Sequence, residues 1–161
     1  MNADEARQNG KMIRKTCKRS SHGIWNYTEN RDHIIKLLEE QERTRIPELI
    51  PVRHERMSTS PFAFYRGAAV IMADDLSRTP RTGITVQACG DAHIANFGAF
   101  ASPERRLVFD INDFDETLPG PWEWDIKRLI TSIEICGRYR GFSEIDRTEA
   151  VLSAARAPYQ S

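Results

Sequence analysis

The sequence has few cysteines and no long apolar run, and both absences limit what the protein can be. Its three cysteines are odd in number and widely spaced, at Cys17, Cys89 and Cys136, which argues against a disulfide framework or a zinc knuckle. The simplest compartment is then a reducing cytoplasm. The longest apolar runs are far too short to cross a bilayer, and the first twenty residues contain no apolar signal-peptide segment. We therefore expect a cytoplasmic protein with no membrane partner.

An excess of charge of one sign is also missing. Lys and Arg total 23, as do Asp and Glu, so no overall field would gather nucleic acid, and we expect no specific nucleic-acid binding. Residues 1–29 nevertheless form a basic N-terminal arm, with no acidic residue between Glu5 and Glu29. The simplest expectation is a solvated, loosely ordered arm. The alternative is an arm that reaches over an anionic substrate or phosphate.

Residues 30–80 carry the patterns of helices. Asn30 is a candidate N-cap, and apolar residues on one helical face follow it. A short helical segment is expected over Arg53–Met57. Ser60-Pro61 predicts the start of a further helix. Apolar residues at spacings of three and four predict that this helix continues to Leu76.

Two strands are predicted next, and helices follow them. Alternation from Ile84 to Ala88 predicts a half-buried strand, and the β-forming run Leu107–Ile111 predicts a second. The long loop between them indicates function. Helices are expected from Trp122 and from Ser143, where a capping box begins. This order predicts an α+β fold, mostly helical, in which a small two-strand unit carries the loop.

Polar residues that can bind metals follow both predicted strands. The loop Gly90–Phe97 contains Asp91 and Asn96, and Asp110–Glu116 is a second acidic cluster. If the two strands pair side by side, their ends lie close together, and the carboxylates converge. Converging carboxylates repel one another, and Mg²⁺ relieves the repulsion because it prefers oxygen ligands. We therefore expect Mg²⁺ as a cofactor.

Phosphoryl transfer needs these residue types. One carboxylate orients the attacking hydroxyl and accepts its proton, while an Asn and a second Asp hold the metal ions that bridge the phosphates. Asp91 is the candidate catalytic base, and Asn96 and Asp113 are candidate metal ligands. Asp115 is a further candidate metal ligand, with Asp110 behind it. The alternative is that these residues make only the local hydrogen bonds common in turns.

Three further residues have two interpretations each. His93 either takes part in acid–base catalysis or positions the loop, and positioning is favoured because Asp91 already fills the base position. Asp125 lies at the edge of an apolar helix face, where a partly buried acid needs partners. Backbone N–H groups of the loop would serve, or Asp125 is simply favoured at a helix start. Arg66 would clamp a phosphate or carboxylate, or it is a surface residue.

Several sequence blocks resemble the start of a bacterial family catalogued as a domain of unknown function, number 2252. The blocks are Gly10–Ser21, Ser60–Gly67, Cys89–Phe97, Val108–Thr117 and Trp124–Leu129.

These blocks are in turn similar to blocks of aminoglycoside and choline kinases. In those kinases a G-D-x-H-x-x-N loop provides the base and one metal ligand, which Asp91 and Asn96 match. A following D-F block provides the second metal ligand, matched by Asp113, and a later acid that supports the loop is matched by Asp125. The resemblance implies a kinase C-lobe-like fold, an ATP cofactor, and an unknown phosphate acceptor with a small-molecule or protein hydroxyl.

One departure from those kinases is important. Their glycine-rich strand lobe and ATP-binding Lys precede the catalytic loop, whereas residues 30–80 here are predicted to be helical. The resemblance therefore implies that residues 30–161 are a truncated, partial kinase-like domain that lacks the nucleotide-clamping lobe and is inactive alone. Two alternatives stay open. One is a non-catalytic binding or regulatory module, and the other is a metal-dependent phosphoesterase, which usually needs more histidine ligands than the four histidines here suggest.

Overall fold

A computed structural model describes residues 2–25 and 31–156 of the chain. Its helices are α1 (Ala3–Thr16), α2 (His33–Glu42), α3 (Ile50–Ser58), α4 (Pro61–Gly67), α5 (Ala69–Ser77), α6 (Trp122–Tyr139) and α7 (Glu144–Arg156). Its strands are β1 (Thr85–Ala88), β2 (Phe97–Ala101), β3 (Leu107–Ile111) and β4 (Leu118–Pro121). Short 3₁₀ helices cover Arg19–Gly23, Pro47–Leu49 and Ile94–Asn96. The predicted α+β class, with helix predominating, is confirmed. Asn30, the candidate cap, lies outside the described residues.

The basic arm contains a capped helix, which corrects the expectation that it is loosely ordered. The Asn2 side chain accepts a hydrogen bond from the Glu5 N–H at 2.9 Å, and the Glu5 carboxylate accepts one from the Asn2 N–H at 2.9 Å. Acidic residues lie in the first turn of α1 and basic residues in the last, which is the arrangement that the helix dipole favours. The uneven charge therefore supports a helix here.

Helices α2 to α5 pack around a small apolar cluster, in which Met57, Ala68 and Ile71 are buried. The helix predicted to run to Leu76 is instead two helices, because the backbone leaves helical geometry at Ala68, with φ −119° and ψ 41°. This break lets α4 pack against α3 while α5 packs against α2. The predicted start is confirmed: the Ser60 hydroxyl accepts a hydrogen bond from the Ala63 N–H at 3.0 Å.

The two predicted strands exist, but they do not pair with each other. Strand β1 pairs antiparallel with β4, which places Val86 opposite Gly120. Strand β3 pairs antiparallel with β2, which places Ile111 opposite Phe97. Part of the predicted loop is therefore the strand β2. A short hairpin costs less loop-closure entropy than a distant pairing, and this favours the local partner.

Helix α6 supports the loop that follows β1. It follows β4 directly, and it packs against β1, α4 and the 3₁₀ helix at Ile94–Asn96. Three polar side chains of α6 are buried: Glu123, Arg128 and Ser132. Buried polar groups need hydrogen-bond partners. Arg128 and Ser132 each find one in the loop. In the described part of the chain, no helix has both the length and the apolar character needed to cross a membrane.

Candidate functional site

The loop Gly90–Asn96 is held in shape by its own hydrogen bonds. The carbonyl oxygen of Asp91 accepts two of them, from the His93 N–H and from the Asn96 side-chain amide, each at 2.8 Å. Gly90 has φ +81°, in the left-handed region that glycine favours. A Cβ at Gly90 would collide with the backbone carbonyl of Glu116. The sequence therefore needs glycine at this position for both conformation and space.

Two side chains of α6 attach the loop to the helix. The Asp125 carboxylate accepts hydrogen bonds from the Cys89 N–H at 2.8 Å and from the Gly90 N–H at 3.1 Å. The buried Ser132 hydroxyl accepts one from the Ile94 N–H at 2.9 Å. Asp125 and Ser132 are about two helical turns apart, and so lie on the same face. The contact expected between Asp125 and backbone N–H groups of the loop is present.

Arg128 lies on α6 between these two anchors and contacts Asp91 directly. Its Nε lies 2.6 Å from Asp91 Oδ1, and its Nη2 lies 2.5 Å from the same oxygen. The guanidinium also stacks on the Tyr65 ring, at 4.5 Å from the ring centroid, and donates to the Tyr65 carbonyl at 3.0 Å. Arg128 is only 2% exposed. A buried charge needs such partners, and Asp91 is its ionic partner.

Tyr65 completes this connection between α4 and α6. Its hydroxyl donates a hydrogen bond to the Arg128 carbonyl at 2.8 Å. Burial raises the pKa of Tyr65 to about 12, and the nearby Arg128 charge opposes the rise. The phenol therefore stays protonated at neutral pH and keeps its hydrogen bond. Arg128 is thus held through both its side chain and its backbone.

Burial changes the protonation of the two titratable groups in the loop. It raises the pKa of Asp91 above its usual value, although the Arg128 charge opposes the rise. Burial, followed by the charges of Arg128 and Arg66, lowers the pKa of His93 to about 4. At neutral pH the imidazole of His93 is therefore uncharged. His93 Nε2 lies 3.6 Å from Asp91 Oδ2, and the buried His93 Nδ1 has no hydrogen-bond partner among the described residues.

Most of the predicted site residues line one cavity of about 970 Å³. Those that line it are Asp91, His93, Asn96, Asp113 and Arg66. Its other polar walls come from the region of α3, with the arginines Arg45, Arg53 and Arg56. Asp125 lies behind the loop and acts on it through the backbone. The cavity is open to solvent and is large enough for a nucleotide-sized ligand.

The acidic cluster converges less than the sequence suggests. Asp113 lines the cavity, whereas Asp110 and Asp115 do not. Asp110 accepts a hydrogen bond from the adjacent Ile111 N–H at 2.7 Å, which is a local contact within β3. Among residues 2–25 and 31–156, no group of three or more His, Cys, Asp or Glu side chains is placed to hold a metal ion. The expected convergence is therefore limited to Asp91 and Asp113, since burial and then the Asp113 charge raise the pKa of Asp91, while Asp110 and Asp115 lie outside the cavity.

A comparison with known protein families identifies the family. The family described as "uncharacterized protein conserved in bacteria (DUF2252)" matches residues 45–160. The chain belongs to the DUF2252 family. The match contains every candidate site residue from Arg66 to Asp125 and begins after the basic arm. No curated protein and no solved structure matches the DUF2252 chain, so the resemblance to kinases stays a prediction.

The side-chain oxygens of Asn96 and Asp113 in this DUF2252 site are of the kind that Mg²⁺ takes as ligands. The Asn96 amide nitrogen is committed to the Asp91 carbonyl, which leaves its side-chain oxygen as a hard ligand. Asp113 is exposed at the cavity and its carboxylate is accessible. Mg²⁺ typically keeps several waters and takes one or two carboxylates. Asn96 and Asp113 would therefore hold the ion, and water or substrate would complete its coordination.

Sequence reasoning missed two residues of the DUF2252 site. Arg128 and Ser132 follow Asp125 by three and seven positions, so all three share a helix face. That spacing could have identified Ser132, because a hydroxyl on a buried helix face needs a hydrogen-bond partner. The ion pair between Arg128 and Asp91 joins residues far apart in the sequence, and no local pattern indicates it.

Proposed function

We propose that this DUF2252 protein is a metal-dependent, kinase-like phosphotransferase that moves a phosphoryl group from ATP to a hydroxyl of a small molecule or protein. The observation that carries the proposal is the shared cavity of Asp91, Asn96 and Asp113, with Arg66 at its wall. These are the base, the two metal ligands and the phosphate clamp that such a reaction requires.

Asp91 is the base in this proposal. Arg128 holds Oδ1, which fixes the carboxylate and leaves Oδ2 for the acceptor hydroxyl. The acceptor proton passes to Asp91 Oδ2 as the acceptor oxygen bonds to phosphorus and the bond from phosphorus to the ADP oxygen breaks. The raised pKa of Asp91 makes it a stronger proton acceptor than an ordinary aspartate.

The remaining residues of the site support the loop or offset the negative charge of the phosphates. His93 is uncharged, and in this proposal it supports the loop beside Asp91 and does not serve as an acid. Arg66 binds the transferred phosphoryl group. Mg²⁺, when bound at Asn96 and Asp113, supplies positive charge to the phosphate oxygens. The described residues that precede β1 form helices α1 to α5 and two short 3₁₀ helices, and contain no strand. We therefore expect this chain to bind ligands without turnover unless another segment supplies a nucleotide clamp.

Isothermal titration calorimetry with Mg²⁺ and ATP tests the proposal on this chain. Asp113→Asn should weaken Mg²⁺ binding about ten-fold or more, since one charge-assisted ligand is lost. Asp115→Asn is the matched control, because Asp115 is a neighbouring exposed acid outside the cavity. Asp91→Asn should leave Mg²⁺ binding largely intact but abolish transfer in any active form. Equal Mg²⁺ binding by Asp113→Asn and wild type would remove metal-dependent chemistry from this site.

A non-catalytic binding module is the second candidate, and one observation favours it. Four arginines line the cavity beside two aspartates, and this arrangement suits the binding of an anion without any reaction. ATP binding that Mg²⁺ does not strengthen, with no transfer to any hydroxyl, would favour this module. A phosphoesterase has less support, because among the described residues a single histidine, His93, lines the cavity.

A further inference from the structure

The cavity is unusually rich in arginine. Four arginines line it, and two aspartates, Asp91 and Asp113, are its acids. Asp91 is already paired with the buried Arg128. The chain as a whole carries equal numbers of basic and acidic residues, 23 of each. Positive charge is therefore concentrated in this cavity, and general surface composition does not explain it.

Two of the four arginines are held by the protein. Arg53 on α3 donates to the Gly67 carbonyl and, at 3.4 Å, to the Gln41 side chain. The pKa of Arg53 is lowered, first by burial and then by the neighbouring Arg45 charge. Arg45 contacts Glu116 loosely, at 3.9 Å. Glu42, Glu116 and Asp91 act against the Arg45 charge and favour the charged form of Arg53, and a bound anion would favour it further.

The other two arginines are available to a ligand. Arg56 and Arg66 are exposed, and their side chains make no hydrogen bond or ion pair with the described residues. Helices α3 and α4, which carry them, pack against each other, and both arginines line the cavity. Each guanidinium group can bind a phosphate through paired N–H donors.

We propose that this cavity, which Arg53 also lines, binds a small molecule carrying a phosphate group that Arg56 and Arg66 hold. This inference rests on the proposed function in taking Asp91, in the same cavity, as the reacting end. Phosphate is favoured over a single carboxylate because its dianion matches the two free guanidinium groups in charge. The phosphate has two possible sources, the polyphosphate of a nucleotide or a phosphorylated acceptor.

Metal-free calorimetry with two probes distinguishes these sources. Ribose 5-phosphate represents a phosphorylated acceptor and ATP represents the nucleotide, both in excess EDTA. Arg56→Gln and Arg66→Gln should each weaken binding about ten-fold, as expected for the loss of one charge-assisted contact. Arg106→Gln is the control, because Arg106 is exposed and lies outside the cavity. Circular dichroism should show that all three variants keep the wild-type fold.

Each outcome has a defined meaning. Weakened ribose 5-phosphate binding supports a phosphorylated acceptor, and weakened binding of ATP alone supports the nucleotide as the source. Binding of neither probe by the folded wild type, or equal binding by Arg56→Gln, Arg66→Gln and wild type, overturns the proposal. Because no metal is present, Asp113→Asn should not weaken binding here. Loss of the phosphotransferase proposal in the Mg²⁺ experiment would therefore leave this result standing.

Discussion

Arg128 Nε lies 2.6 Å from Asp91 Oδ1, and the pair joins the loop after β1 to the centre of α6. The side chain of Arg128 is 3% exposed and that of Asp91 is 18% exposed. Because Arg128 also contacts Tyr65, one ion pair connects three elements: the loop, α4 and α6. The orientation of the candidate base thus depends on a residue outside the loop.

Replacement of Arg128 should be strongly destabilising. Arg128→Met leaves the Asp91 carboxylate without its buried partner, which typically costs about 3–5 kcal/mol. Urea denaturation monitored by circular dichroism measures the change. Arg138→Met is the control on the same helix, because Arg138 pairs with Glu134 on an exposed surface and should have little effect. Comparable losses for the two variants would contradict the importance assigned to the buried pair.

Asp125 should be sensitive even to an isosteric change. Asn at this position offers one side-chain oxygen for the Cys89 and Gly90 N–H groups, so one backbone donor loses its partner. The expected cost of Asp125→Asn is about 1–3 kcal/mol, with faster amide hydrogen exchange at Cys89 and Gly90. Asp110→Asn is a matched control, since Asp110 accepts a single backbone N–H and Asn can replace it. Unchanged exchange in Asp125→Asn would show that the anchor is dispensable.

Substitutions at Gly83 and Gly90 distinguish the stability cost of backbone strain from that of a steric collision. Gly90 and Gly83 have nearly the same φ, +81° and +80°. A Cβ at Gly83 meets no atom within 4 Å, whereas one at Gly90 collides with the Glu116 carbonyl. Gly83→Ala should therefore cost about 1–2 kcal/mol from backbone strain, and Gly90→Ala should cost clearly more. Thermal unfolding measures both variants. Similar losses of stability in the two variants would mean that the backbone at Glu116 can move away from the added Cβ at little cost.

The low pKa of His93 should make stability depend on pH. In the unfolded chain the imidazole takes up a proton near its ordinary pKa of 6.5, but in the folded protein it does so near 4. Between these values the unfolded state binds more protons, so stability falls as pH falls from about 6.5 to about 4. The full shift corresponds to roughly 3 kcal/mol.

The comparison of wild type with His93→Gln isolates this effect. The variant should lose less stability than wild type over the same pH interval in urea denaturation. The raised pKa of Asp91 contributes in the opposite sense, and the paired comparison largely cancels it. NMR titration of the His93 ring supplies a second measurement. A ring that titrates near 6.5 in the folded protein would contradict the proposed burial effect.

Local sequence patterns were sufficient for much of the fold and part of the site. Caps and apolar spacing correctly indicated the start of α4 at Ser60 and the long helix α6, because both signals act within a few residues. The polar loop after β1 was likewise visible as a run of Asp, His and Asn. The convergence of Asp91, Asn96 and Asp113 was predicted from a pairing of β1 with β3 that the structure does not have, so their shared cavity has a different origin.

The remaining features of the fold and of the site depend on contacts between distant parts of the chain. Loop-closure entropy favours the short β2–β3 hairpin, but β1 pairs with the more distant β4, and local patterns do not predict that pairing. The break at Ala68 follows from the packing of α4 and α5 on different helices. The Asp91–Arg128 pair and the arginine-lined wall arise where separate helices meet the loop. Burial and charge at such junctions are set by three-dimensional proximity, which short-range patterns along a single chain do not encode.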